Sequence, residues 1–288
     1  MASSSSPGLF SAPAPIRSLF KSFPLAVHPS EALPARAPDT TDDALPPRLY
    51  VFAHECDAQL GLPSYNPTCL KWQTILRIAN IDVRLVSSSN HASPSGALPF
   101  LMLPSSVHST VVPLTGEKIA RFAKQQAPSA NLDDPSPRID AYQALIAHSV
   151  RPAWLHSLYV NPANDALLTA LYLPSSALLR PTQRHTLRTA ATTEILVATR
   201  RKNGGIDVEE LLRAAEEAFA ALAALLGEAE WFLGAEGPGL LDAELFAYTH
   251  LLVGGQLTWG DEVLVSRLRK FGNLVRHADR LYERYWKK

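Results

Sequence analysis

Leu62-Pro-Ser-Tyr-Asn-Pro-Thr-Cys-Leu-Lys-Trp-Gln-Thr-Ile-Leu-Arg-Ile-Ala-Asn-Ile-Asp-Val-Arg-Leu-Val86, followed by Ser95-Gly-Ala-Leu-Pro-Phe-Leu-Met-Leu103, carries the information that decides the fold. Asn66-Pro67 is a helix start, with asparagine as the cap and proline at the first helical position. The helix runs to about Ala79, where Asn80 is a natural stop. Leu70, Gln73, Ile75, Leu76 and Ile78 turn a mostly apolar face toward a sheet. Val83–Val86 is then a strand, 87–96 a polar loop, and Leu98–Leu103 a strand opened by a proline.

Working outward, Leu49-Tyr-Val-Phe52 is a short buried strand after Pro46-Pro47, and 54–65 reads as a loop. Val111-Val112-Pro113 is a fourth short strand, and Gly116–Gln126 a helix with Ile119, Ala120, Phe122 and Ala123 inward. A parallel pair, then a hairpin, covered by helices, is a thioredoxin-like plan. That plan opens its third strand through a cis X-Pro bond, which here is Leu98-Pro99. The backbone of Leu98 is then expected to turn outward, free to pair with an extended ligand.

Pro128, Pro135 and Pro137 mark a linker, and from Ile139 onward only helices are expected. Ile139–Tyr159 bends near Pro152, and Asp165–Tyr172 and Thr182–Lys202 follow. Asp207 caps an amphipathic helix in which Val208, Leu211, Leu212, Ala215, Phe219 and Leu222 recur at three- and four-residue steps. Leu241–Val253 is a central helix, and Asp261–Lys270 and Asn273–Trp286 close the bundle. The chain thus divides into a Pro/Ser-rich extended tail (1–47), an α/β thioredoxin-like domain (48–127) and an all-helical domain (138–288).

The tail holds nine of the chain's 23 prolines, a density that excludes long ladders or helices. Phe10, Ile16, Phe20 and Phe23 are candidates for docking on a partner. The tail is acid-free up to Glu31 and contains Arg17 and Lys21, so a cleaved mitochondrial presequence and an idle tail are the competing readings.

Lys+Arg and Asp+Glu balance at 27 each, which gives no electrostatic reason to expect nucleic acid. Two cysteines, Cys56 and Cys69, are too few for a disulfide framework or a zinc site, and a reducing compartment is the default. No window reaches the roughly 20 apolar residues of a membrane span. The best run, Ala218–Leu226, is too short and sits beside Glu216 and Glu217, so any membrane contact is expected to be peripheral. His54, His91 and His108 fall in loops. His148 and His156 are two turns apart, and His250 sits in an apolar helix. None has metal-ligand spacing to a carboxylate. Arg200-Arg201-Lys202 reads as a solvated helix end.

A thioredoxin-like domain followed by a helical domain resembles the glutathione-transferase architecture. Trp231-Phe-Leu-Gly-Ala-Glu-Gly-Pro-Gly-Leu-Leu-Asp-Ala-Glu-Leu-Phe246 resembles that superfamily's flat loop and Asp-led helix. Gly239 stands where a serine or threonine usually completes a capping box, so only Asp242 is left to serve backbone amides. The residues Asn66-Pro-Thr-Cys-Leu-Lys-Trp72, Leu76-Arg-Ile-Ala79, 87–95 with Asn90-His91, and Ser95-Gly-Ala-Leu-Pro-Phe100 resemble the metaxin family. Within it they look like the fungal, anchor-less, metaxin-like subunit of the mitochondrial sorting and assembly machinery. The resemblance covers 48–288.

It implies a non-enzymatic subunit, peripheral on the cytosolic face of the mitochondrial outer membrane. Its partners would be the barrel-forming assembly subunit, a second metaxin-like subunit and β-barrel precursors. A precursor strand would add to an edge of the first domain or to Leu98-Pro99.

The alternatives are a glutathione-dependent transferase-like enzyme and a scaffold in another complex. Glutathione chemistry needs a hydroxyl or thiol near the first helix start, for which Ser64, Tyr65 and Cys69 are the candidates. It also needs a Glu/Gln-Ser pair at the helix after strand four, and the matching positions are Thr115-Gly116. Losing both side chains removes hydrogen bonds to a charged group, each about 1.5–3 kcal/mol. No catalytic residue, cofactor or metal is therefore expected.

Overall fold

The computed structural model describes residues 46–104, 112–128, 130, 132, 137–200 and 205–287. The docking candidates Phe10, Ile16, Phe20 and Phe23 lie outside the described residues, as do His108, Val111, Arg201 and Lys202.

The first half is a four-stranded sheet in the order β2-β1-β3-β4. β1 (Arg48–Val51) pairs in parallel with β2 (Arg84–Ser87) and antiparallel with β3 (Phe100–Met102). β3 pairs antiparallel with β4 (Leu114–Thr115). Tyr50 and Phe100, opposite each other in register, stack with ring centroids 4.4 Å apart. The fourth strand begins later than expected, since Val112 and Pro113 lie outside it. Pro113 has no N–H to give a ladder, so pairing starts after it.

Between β1 and β2, the expected loop contains a short helix, α1 (Glu55–Gln59). The next helix, α2 (Pro67–Ile78), is capped by Asn66, whose side chain accepts from the Cys69 amide at 3.2 Å. Asn80 follows it at φ 53, the left-handed conformation that ends helices. α3 (Glu117–Gln126) buries Ile119 and Ala123 and leaves Ala120 and Phe122 half-buried.

From Pro137 on, the described residues form helices only. α4 (Pro137–Leu145) and α5 (Arg151–Leu155) belong to one rod, with π-helical turns at Ile146–Val150 and His156–Val160. Wider turns flank Pro152, which cannot donate to an i−4 carbonyl. α6 (Asp165–Tyr172) and α7 (Arg180–Ala198) follow. α8 (Val208–Leu226) is capped by Asp207, which accepts from the Glu210 amide at 3.1 Å. α9 (Leu240–Val253) is the buried central helix, and α10 (Val263–Arg269) and α11 (Gly272–Tyr285) complete the bundle.

α9 packs against both α2 and α11, so it belongs to the cores of both halves. Lys71 pairs with Glu244 at 2.9 Å, Gln256 donates to the Pro63 carbonyl, and Arg77 donates to the Tyr285 carbonyl. These contacts fix the cleft between the halves.

Candidate functional site

That cleft has a volume of about 690 Å³ and lies between the start of α2 and the loop before β3 on one side, and α5 to α7 on the other. Asn66, Asn90, Leu98, Arg151, Tyr172 and Glu194 are among its walls. The Ser64, Tyr65 and Cys69 candidates are not among the residues that line it; all three are buried beside the start of α2.

Ser64 is fully buried, and its hydroxyl donates to the Phe52 carbonyl at 2.5 Å while accepting the Asn66 amide at 3.2 Å. Both ends of the hydroxyl are used to hold the loop. Its amide donates to Gln73, which in turn donates to the Leu62 carbonyl. Cys69 is fully buried. Burial pushes its thiol up to about 12, against hydrogen bonds from the Phe52 backbone and Ser64 that pull it down. At neutral pH it is a packed thiol, not a thiolate.

Tyr65 is buried in an aromatic group with Phe52 and Tyr172, its ring meeting Tyr172 edge-on at 5.2 Å. Burial, followed by the nearby Cys69, raises its phenol above the ordinary value. Asn66 donates from Nδ2 to the Tyr172 hydroxyl at 3.0 Å, and Tyr172 in turn bonds Tyr159. Burial raises the Tyr172 phenol well above its usual range and pushes Tyr159 up to about 12. The helix start therefore meets a closed set of neutral phenols, with no ionised nucleophile among them.

At the helix entry matched to the glutamyl-binding pair, β4 ends at Thr115, paired with Phe100, and α3 begins after Gly116. Gly116 caps α3 at φ 53 and offers no side chain, and Glu117 is exposed in the first turn.

Leu98-Pro99 is a cis bond, and both residues are buried. The expectation that the Leu98 backbone is free to pair is corrected in its donor half. The Leu98 amide donates to Asn90 Oδ1 at 3.0 Å, so the side chain of the preceding turn already occupies it.

Asp242 makes the half of the capping box that a glycine partner allows, accepting the Gly239 amide at 2.9 Å. Its other oxygen accepts from the Phe232 amide at 3.1 Å and meets His277 Nε2 at 2.7 Å. His277 is fully buried, and the sequence reading passed over it. The 35-residue separation leaves no local signal for that pair. Tyr159 and Tyr172 were missed for the same reason. His250 is buried between the rings of Phe246 and Tyr282, at centroid distances of 5.0 and 4.9 Å. Burial pushes its imidazole down to about 4. Among the described residues no group of three or more His, Cys, Asp or Glu side chains is placed to hold a metal ion. No helix among them is long and apolar enough to cross a membrane.

Two family models match the chain: a glutathione S-transferase N-terminal domain over 67–164 and a glutathione S-transferase C-terminal domain over 215–281. A glutathione S-transferase of Ceriporiopsis subvermispora in complex with glutathione superimposes with a TM-score of 0.53 at 16% identity, over 84% of this chain and 98% of that one. A glutathione transferase family member of Pseudomonas fluorescens with two glutathione bound gives 0.50 at 12% identity, over 92% and 94%. In sequence, the chain is 26% identical to a metaxin-1 homolog of Caenorhabditis briggsae over 78% of its length and 71% of the relative's. It is 25% identical to metaxin-2 of Mus musculus, over 78% and 84%. The chain therefore has the glutathione-transferase fold, and in sequence it is similar to metaxins.

Proposed function

We propose that this chain is a metaxin-like, non-enzymatic subunit acting in protein import at the mitochondrial outer membrane. It sits peripherally on the cytosolic face, caps the barrel-forming subunit of the sorting and assembly machinery beside a second metaxin-like subunit, and helps receive β-barrel precursors. The similarity to two metaxins along most of the chain carries this reading. The occupied hydroxyls of Ser64 and Tyr172 and the buried Cys69 thiol support its non-enzymatic part, since a transferase needs such a group free to stabilise a thiolate.

Fractionation tests it. The native protein is expected with mitochondrial membranes, released at alkaline pH, and co-purifying with a barrel-forming outer-membrane protein. Recovery in the cytosol alone overturns the proposal. The fold shared with glutathione-bound transferases favours an enzyme as the second reading, and glutathione binding separates the two.

A further inference from the structure

The loop that joins α6 to α7 ends in Ala177-Leu178-Leu179, three consecutive exposed apolar residues. Leu178 is 78% exposed and Leu179 44%, and no other large apolar side chain among the described residues is as exposed as Leu178. The loop around them is tied down. Arg180 donates to the Pro174 carbonyl at 2.9 Å and to the Ser175 carbonyl at 3.1 Å. The Leu179 amide donates to the Ser176 carbonyl, and the Gln183 amide to the Leu179 carbonyl. With its backbone held in this way, the loop keeps two neighbouring leucines in water instead of folding them into the core, and that exposure is unfavourable unless something covers it.

The charge beside these leucines is one-sided. The whole chain balances at 27 basic and 27 acidic residues, yet the run from Ala166 to Thr193 contains no aspartate or glutamate and holds Arg180, Arg184 and Arg188. The three arginines recur at four-residue steps on α7 and so share one of its faces. Arg180 bonds only neutral carbonyls, keeps its full charge and has no ion pair among the described residues. Arg184 and Arg188 share a single carboxylate, Asp165, at 2.9 and 3.0 Å, which leaves one positive charge in excess. α7 begins at Arg180, so the positive end of its dipole lies at the same tip.

We propose that this tip is a membrane-contact surface, with Leu178 and Leu179 entering the interfacial layer of an anionic bilayer and Arg180, with the arginines behind it, meeting the lipid phosphates. A bilayer needs no matching pocket. It takes apolar side chains at headgroup depth and supplies the negative charge that a cationic, carboxylate-free run complements. The idea deepens the peripheral placement proposed above and rests on it, by naming the side of the molecule that faces lipid.

The test floats the full chain with vesicles of phosphatidylcholine alone, or with about one-third phosphatidylserine. Binding to the anionic vesicles is expected to exceed binding to the neutral ones at least about fivefold, and to weaken as salt screens the arginines. The double variant Leu178→Ser, Leu179→Ser is expected to weaken it at least about tenfold. Both residues are exposed, so an unchanged melting temperature checks that the fold is kept. Val197→Ser removes another exposed apolar side chain from α7, away from the tip, and is expected to bind as the parent does. No binding to either vesicle, or equal binding by the double variant, overturns the proposal. Equal binding to both vesicles overturns its cationic part. Native protein that fractionates with membranes while the purified chain ignores vesicles would leave the import reading and overturn the lipid contact, because a protein then holds it there. Vesicle binding with recovery of the native protein in the cytosol alone would do the reverse.

Discussion

Asn66 and Tyr172, 106 residues apart, are joined by a 3.0 Å hydrogen bond, and the same asparagine caps α2 with its oxygen. One side chain thereby starts the first helix and ties it to the phenols of the second domain. The pair is an interdomain clasp.

The clasp has a measurable size. Asn66→Ala removes the cap, about 1 kcal/mol, and leaves the buried Tyr172 hydroxyl short of a donor, about 1 kcal/mol more. Asn66→Ser keeps the cap alone, and Tyr172→Phe removes only the hydroxyl. In urea unfolding, Asn66→Ala is expected to be the most destabilised of the three. Asn66 and Tyr172 are expected to couple by about 1 kcal/mol in a double-mutant cycle. Additive costs would mean that the bond contributes nothing.

Millimolar glutathione is expected to leave the melting temperature unchanged. A ligand at 100 times its dissociation constant stabilises the native state by about 2.7 kcal/mol, a shift of several degrees. Thr115 and Gly116 at the entry of α3 provide no acid-then-hydroxyl pair to hold the glutamyl end. A rise of that size would restore the enzymatic reading.

Local chemistry was legible in the sequence where a single residue decides the geometry. Asn66-Pro67, Asn80 and Asp207 each mark a helix end through their own side chain or backbone preference, and the structure has each end there within two residues. The overall transferase fold followed from the order of such signals. α1 escaped because five residues carry no period and its cap makes no side-chain bond. β4 was misplaced because the β-branched Val111-Val112 outweighed the missing N–H of Pro113. The Asn66–Tyr172 and Asp242–His277 bonds, and the capture of the Leu98 amide by Asn90, depend on how the chain folds back on itself. Composition and spacing carry no trace of them.

The two thiols are expected to react at very different rates. Cys56 is exposed, whereas Cys69 is buried with its thiol pushed up to about 12. A maleimide at neutral pH should label one thiol quickly and the second only at the rate of unfolding. Mass mapping that finds Cys69 labelled as fast as Cys56 in the native protein would show that the core around α2 opens.

The last prediction concerns acid. His250 lies between Phe246 and Tyr282, and burial holds its imidazole down at about 4, against about 6.5 in an unfolded chain. Between those two values the unfolded state binds the extra proton and the native state does not. Stability therefore rises with pH across this window and is lost as pH falls from about 6.5 toward 4, by about 3 kcal/mol in all. Below about 4 both states are protonated and this loss is complete. The ring has little room to escape, since the backbone of Gly254 is so close that a Cβ there would meet His250 Nδ1 at 2.5 Å. His250→Phe keeps an aromatic ring in the stack and removes the titration. Urea midpoints measured from pH 7 to pH 4 are expected to fall more shallowly in the variant than in the parent. The slope is the readout, because repacking shifts the height of both limbs alike, and parallel slopes would mean that His250 takes up its proton in the native core without penalty.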